Sequence, residues 1–325
     1  MIQRRQVLLA ALGLPAAFTA TPSALAQVAY PTKPIRLIVM YPPGGPSDTM
    51  ARSVAEILAG RLRQPVLVEN KPGGGGQIAA AAMLQAPADG HALMLGDSAA
   101  FAANRFLYKG FAFDTQRDMA PVAPLMAMPM VLWVQHGSSV NSIRDLMALA
   151  KTRTVSFASQ GPGSAGHLLG EMLKGASGAD LNHVLYRGSA PAMVDLLGGQ
   201  VDCLFDGIGA GLPYLRDQKL KAIATATSSR LALVPEVPTT AEAGFPAVKI
   251  NIWFGLVTNA GTPAAVVTKL NEEVRLALAT PQVANRFKPL GFDFMAMDQA
   301  AFDQLIRQET ELLGNVVRSR GITAD

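Results

Sequence analysis

The chain has 325 residues, half of them hydrophobic, with 28 Lys and Arg against 24 Asp and Glu and a formal net charge of +4. That length allows one large domain or two modest ones with full cores. Charged residues make up 16% without a long run, and no basic stripe is interleaved with aromatics, which sets aside a disordered chain and a nucleic-acid binder.

The first segment, MIQRRQVLLAALGLPAAFTATPSALAQ, places Arg4 and Arg5 before an apolar run from Val7 to Phe18 and then Ala24-Leu25-Ala26. The run is too short to span a membrane with stop-transfer flanks, so residues 1–26 are predicted to be a secretory signal peptide cleaved after Ala26. The paired arginines suit an ordinary positive leader or a twin-arginine one. Cleavage takes away those two arginines and no acid, so the 28 basic residues become 26 against 24 acidic ones. Cys203, the one cysteine, sits in the apolar run VDCLF and reads as a small buried hydrophobe.

Beyond the leader, apolar runs alternate with amphipathic ones. Strands are predicted at 35–41, 65–70, 91–97, 129–135, 154–159, 183–188, 201–207, 221–227 and 252–258, several of them continuously apolar, as strands buried on both faces are. Residues 47–62 put Met50, Val54, Leu58 and Leu62 on one helical face, and 164–176 do the same with Leu168, Leu169, Met172 and Ala176. Near the end, Thr262 and Pro263 read as N-cap and first residue of a helix striped by Val267, Leu270, Val274 and Leu278, and a last helix runs from near Asp298 to Gly321. Alternating strands and helices predict an α/β protein with mostly parallel sheets.

One unit occurs twice: LIVMY-PPGGPSD-TMARSVAEIL, and about 115 residues later VSFAS-QGPGSAG-HLLGEMLK. Each is an apolar strand, a Gly-rich turn and a helix. Two such turns predict two lobes facing one another across a cleft at the carboxyl ends of strands. Glycines let the backbone approach a ligand, and the first N–H groups of a helix offer donors and the positive end of its dipole. Both turns therefore read as anion-capturing, and Gly73–Gly76 is a third candidate.

Other chemistry fits less well. Gly161, Gly163 and Gly166 spell a dinucleotide fingerprint, but no acid stands at the end of the following strand; Arg187 leaves an NADP-linked enzyme open as an alternative. Ser164 is not in a nucleophile elbow, and GGGGQ lacks the Lys and Ser or Thr of an NTPase loop. His91, His136, His167 and His183 have no metal-ligand spacing, so no metal, cofactor or catalytic residue is predicted. Asp48, Asp97 and Asp206 each follow a strand, where an acid can cap a turn or helix; facing the cleft, Asp48 or Asp206 would favour an amino-acid or amide ligand.

The segments YPTKPIRLIVMYPPGGPSDTMAR, VLVENKPGGGGQIAAAAMLQAPADGHAL, SFASQGPGSAGHLLGEMLK, HVLYRGSAPAMVDLLGGQVDCLFDG, LVPEVPTTAEAGFP and WFGLVTNAGTP resemble, in order, the motifs of the tripartite tricarboxylate transporter receptors, or Bug proteins. The resemblance covers roughly residues 30–325. It implies a two-lobed periplasmic-binding-protein fold (type II-like) joined by a hinge, with residues 27–128 plus 253–325 as one lobe and 129–252 as the other. It further implies a monomeric, non-enzymatic periplasmic receptor for a small carboxylate: a dicarboxylate, tricarboxylate, amino acid or aromatic acid. The implied partner is a two-component integral membrane permease; a sensing co-receptor is the alternative. The family's carboxylate-holding loops fall on Gly44, Gly45, Ser47 and Asp48 and on Ser159, Gly161, Gly163 and Ser164. Tyr186, Arg187, Gly188 and Asp206 complete the expected cleft, and Tyr41, Pro43 and Ser98 join its lining. Arg187 stands where the family usually has Lys, and His167 is expected to support the second loop.

Overall fold

The computed structural model describes residues 30–250 and 252–323. The leader predicted over residues 1–26 lies outside the described residues. The strands are β1 (Ile35–Val39), β2 (Val66–Asn70), β3 (Ala92–Asp97), β4 (Met119–Met128), β5 (Met130–Gln135), β6 (Val155–Ser159), β7 (Leu181–Leu185), β8 (Cys203–Gly207), β9 (Leu220–Thr225), β10 (Ile252–Asn259) and β11 (Asp293–Phe294). They form a six-stranded sheet in the order β11-β4-β10-β3-β1-β2 and a five-stranded sheet in the order β7-β6-β8-β5-β9.

Both sheets are mixed, where mostly parallel ones were expected. β1 runs parallel to β2 and β3, and β6 to β7 and β8. β10 is antiparallel to β3 and β4, β11 to β4, and β5 to β8 and β9. Parallel neighbours need a crossover, usually a helix, between them. β5 and β10 instead arrive from the other sheet and insert against the grain. Between β4 and β5 only Pro129 intervenes, so the chain changes sheets within one residue. It returns through the segment between β9 and β10.

β4 carries Pro121 and Pro124, which disguise it as a non-strand in the sequence. Its register against β10 shifts between Phe254 and Gly255 and between Leu256 and Val257, next to the pairings Gly255 with Pro124 and Val257 with Pro121. These irregularities absorb the two missing donors.

Period-two alternation divides the second sheet's apolar residues between its faces. Leu132, Val134, Phe157, Cys203 and Phe205 pack in one cluster, while Val131, Trp133, Ala158 and Leu204 pack in another. The first cluster also takes Ala102, Ala103 and Leu107 from the segment after β3, and Leu313 and Val317 from the last helix. That helix, Gln299–Arg320, starts where Asp298 accepts the Ala301 N–H at 2.8 Å and stops at Gly321, φ 61°. Phe302 and Ile306 pack instead with Ile38, Met94 and Trp253 of the first sheet. One helix thus contributes to the cores under both sheets. The helix after β10 spans Ala264–Leu278 with Pro263 as N-cap, one residue later than the expected Thr262 cap.

Candidate functional site

β6 ends at Ser159 and, after a turn of residues 160–164, the helix Ala165–Ser177 begins. The turn between them needs its glycines, since Gly161 has φ +146° and Gly163 φ +70°. Ser164 is the N-cap, its Oγ accepting the His167 N–H at 3.3 Å. Gly163 N–H donates to His167 Nδ1 at 3.1 Å. Ser159 Oγ accepts the Gly161 N–H at 3.3 Å and lies 2.6 Å from His183 Nε2. The two imidazoles stack with centroids 3.9 Å apart. Burial, with the neighbouring His183, pushes the His167 pKa down to about 4, and burial lowers that of His183 as well. A neutral His167 is what the Gly163 bond requires, because Nδ1 accepts. His167 therefore supports the turn, as expected of it.

Next to this turn lies the carboxyl end of β8. Asp206, 5% exposed, accepts the Gly207 N–H at 2.7 Å and the Ser189 hydroxyl. Gln160 Nε2 donates to Phe205 O at 2.7 Å, and the Gln160 side chain also bonds Asp206. Burial raises the Asp206 pKa against all three donors. From the first sheet, β3 delivers Asp97, which accepts the Ala100 N–H at 2.9 Å and the Tyr41 hydroxyl. Burial raises the pKa of Asp97 as well as that of Tyr41. Ser98, 3% exposed, follows.

These elements enclose a cavity of about 280 Å³. Its polar lining is Asp97, Ser98, Gln160, Ser164, Ser189 and Asp206, with Gly163, Ala99 and Ala165 beside them. Met128, Met130, Ile250 and Ile252, from the two places where the chain changes sheets, line it together with Leu168 and Leu313. A mostly apolar cavity with a few convergent polar groups is the usual form of a small-molecule site. The N–H groups of Ala165 and Gly166 at the helix start have no acceptor among the described residues.

Of the residues expected from sequence, Ser98, Gly163, Ser164 and Asp206 line this cavity. Others stand behind it: Tyr41 bonds Asp97, Ser159 holds the turn, Gly188 N–H donates to Gln160 O at 3.1 Å, and Tyr186 donates to Asp195 at 2.6 Å. Gly161 shapes the turn without lining the cavity, and Arg187 is exposed. The first turn also lies outside the lining: Pro43 and Gly44 are exposed, Gly45 is half-buried, and Ser47 and Asp48 are buried. Gly73–Gly76, all at positive φ, form a separate turn outside the cavity lining, exposed at Gly73 and Gly74 and buried at Gly76, tied to Asn104, whose Nδ2 donates to Gly75 O at 2.8 Å.

Asp48 faces its own turn. It accepts from Gly44 N at 2.9 Å, Asn70 Nδ2 at 2.9 Å and Arg52 Nε at 3.0 Å. The Arg52 bond, helped by Gly44 and Asn70, holds its pKa near 2 against an ordinary 3.8. A carboxyl with a lowered folded pKa gives stability that is complete above its unfolded pKa and is lost as pH falls through the folded one. Asp48→Asn should therefore cost about 1–3 kcal/mol at neutral pH and remove part of the stability lost between about pH 4 and pH 2, as read by urea unfolding across that range.

Sequence reasoning missed Gln160, Ser189 and the apolar lining, and read Asp97 only as an acid capping a turn or helix. Gln160 and Ser189 had a usable signal: Gln160 precedes the first glycine of one strand-to-helix turn, and Ser189 follows the glycine that ends another. Leu313, far along the last helix, had none.

Residues 50–322 match the model of the tripartite tricarboxylate transporter family receptor. Protein BugT of Bordetella pertussis is 35% identical over 320 residues, covering 97% of each chain. Among solved structures, R. palustris Rpa4515 with adipate is similar at TM-score 0.79 and 30% identity, over 90% of this chain and 99% of that one. MatC (Rpa3494) from Rhodopseudomonas palustris with bound malate is similar at TM-score 0.76 and 32% identity, over 89% of this chain and 100% of that one.

Proposed function

The chain belongs to the tripartite tricarboxylate transporter receptor family, and on that footing we propose that it captures a small carboxylate in the cavity between its two sheets and presents it to a two-component membrane permease. The observation that carries this reading is the start of the helix Ala165–Ser177, where Ser164 and Ala165, whose N–H has no acceptor among the described residues, stand at the wall of a cavity of about 280 Å³. A helix start of this kind favours an anion without a Lys or Arg. Adipate and malate in the similar structures Rpa4515 and MatC support the ligand class.

The reading divides the mature chain into one lobe of residues 27–128 plus 253–325 and another of 129–252. Bending at the strands around Pro129 and at the start of β10 would open and shut the cavity. Closure joins Ser98 and Asp97 of one lobe to Ser164 and Asp206 of the other around the ligand, and completes the surface a permease would read. The protein acts in the periplasm as a monomer, without cofactor or metal; among the described residues no helix is long and apolar enough to cross a membrane.

A thermal-shift screen of the ligand-stripped protein against carboxylates, amino acids and nucleotides tests this. Ligand at ~100 times its Kd adds about 2.7 kcal/mol, a Tm rise of roughly 4–5 °C. A carboxylate should give that rise and NADPH should not; a response to nucleotide alone would overturn the reading. Loss of uptake of the same acid on deleting the gene would assign it to transport.

A further inference from the structure

Resting on the reading above, we propose that the acid this protein captures carries a hydrogen-bond-donating head, an ammonium or a carboxamide, at the end away from its carboxylate, and that Asp206 receives that head. The charged residues lining the cavity are Asp97 and Asp206; none of the lining residues is Lys, Arg or His. A dicarboxylate dianion would therefore bring two more negative charges to two existing carboxyl groups, opposed only by helix N-termini worth about half a charge each. Like charges sharing a desolvated site cannot all ionise, so the dianion would bind only together with a proton.

The two acids are not equivalent. An ionised carboxylate offers about four acceptor positions. Asp97 meets the Tyr41 hydroxyl and the N–H groups of Ala100, Ala99 and Asp97 itself. Asp206 meets three donors, Ser189, Gly207 and Gln160, and leaves room for one more. Burial works against its charge, and a donor from the ligand would relieve that cost. Ser98, 3% exposed and without a side-chain hydrogen bond to a described residue, offers a further polar contact at the opposite wall. One end of the ligand thus meets the donors of the helix start at Ser164–Gly166, and the other meets an acceptor at Asp206.

Isothermal titration at pH 7 of the ligand-stripped protein with three matched sets tests this: succinate, succinamate and 4-aminobutanoate; glutarate, glutaramate and 5-aminopentanoate; adipate, adipamate and 6-aminohexanoate. At the best-fitting length the amino or amide acid should bind at least ~10-fold tighter than the dicarboxylate, a difference on the scale of one buried polar pair. Which of the two binds tighter identifies the head. Asp206→Asn should weaken the amino acid at least ~10-fold and narrow its gap to the dicarboxylate. Dicarboxylates binding tightest at every length would overturn this inference while leaving the carboxylate reading intact. So would an unchanged ranking in Asp206→Asn. Failure of all nine acids to bind would overturn this inference, and if no carboxylate in the thermal-shift screen raised the Tm either, the carboxylate reading itself would fall. Should Asp206→Asn not fold, the wild-type ranking decides alone.

Discussion

Gly163→Val is expected to abolish tight capture while leaving most of the fold in place. Gly163 sits at φ +70°, and a Cβ built there would lie 2.3 Å from Leu107 Cδ1. Leu107 belongs to the segment after β3, whereas Gly163 belongs to the turn after β6, so the clash falls between the portions of chain assigned to different lobes. A left-handed backbone costs an L-residue about 1–2 kcal/mol, and overpacking a tight contact adds about 1–3 kcal/mol. If the closed form alone bears that cost, affinity falls by roughly 30- to 3000-fold, at about 1.4 kcal/mol per factor of ten. Titration calorimetry beside a melting curve separates the possibilities. A large loss of affinity with a small change in Tm is the expected result. An unchanged Kd would remove the second turn from the site. Trimming the obstacle with Leu107→Ala should restore part of the affinity in Gly163→Ala, where the remaining cost is the backbone alone.

The second large effect concerns Glu309, at the middle of the last helix. Its Oε2 accepts the Trp253 Nε1–H at 2.7 Å, and burial pushes its pKa up from 4.5 to about 8 despite that bond. A carboxyl whose folded pKa is raised binds a proton that the unfolded chain has released, so stability falls as pH rises from about 4.5 to about 8. At pH 7 that cost is on the order of 3 kcal/mol. Glu309→Gln keeps an acceptor for the indole and removes the titration. It should match the wild type in stability near pH 4.5 and exceed it by about 2–4 kcal/mol at pH 8, measured by urea unfolding. A variant that is destabilised equally at both pH values would show that Glu309 is held as an ion. Because Trp253 lies in β10, near its re-entry into the first sheet, the same substitution also tests whether the neutral carboxyl steadies that junction.

The sequence made the alternating elements and the second turn legible because each depends on local pattern. An apolar run ahead of a Gly-rich turn marked β6, and Ser164 before a stripe of leucines marked the helix that follows. Asp298 and Gly321 marked both ends of the last helix for the same reason. β4 escaped because its prolines contradict a strand locally, and only the irregular pairing with β10 accommodates them. The direction of β5 and β10 escaped because it depends on where the chain changes sheets, which has no local signature. At the site, Ser164 and Asp206 could be read from their places at strand and helix ends. The first turn looked like the twin of the second, yet Asp48 draws the Gly44 N–H to itself, and those residues lie outside the cavity lining. Met128, Met130, Ile250, Ile252 and Leu313 reach the cavity through tertiary packing alone.

A crystal structure of the protein with the tightest acid from the titration series tests the central claim most directly. The acid should lie in the cavity, its carboxylate within hydrogen-bond distance of Ser164 and the Ala165 or Gly166 N–H. An acid bound outside that cavity, or inside it without touching the start of the helix Ala165–Ser177, would contradict the site proposed for it.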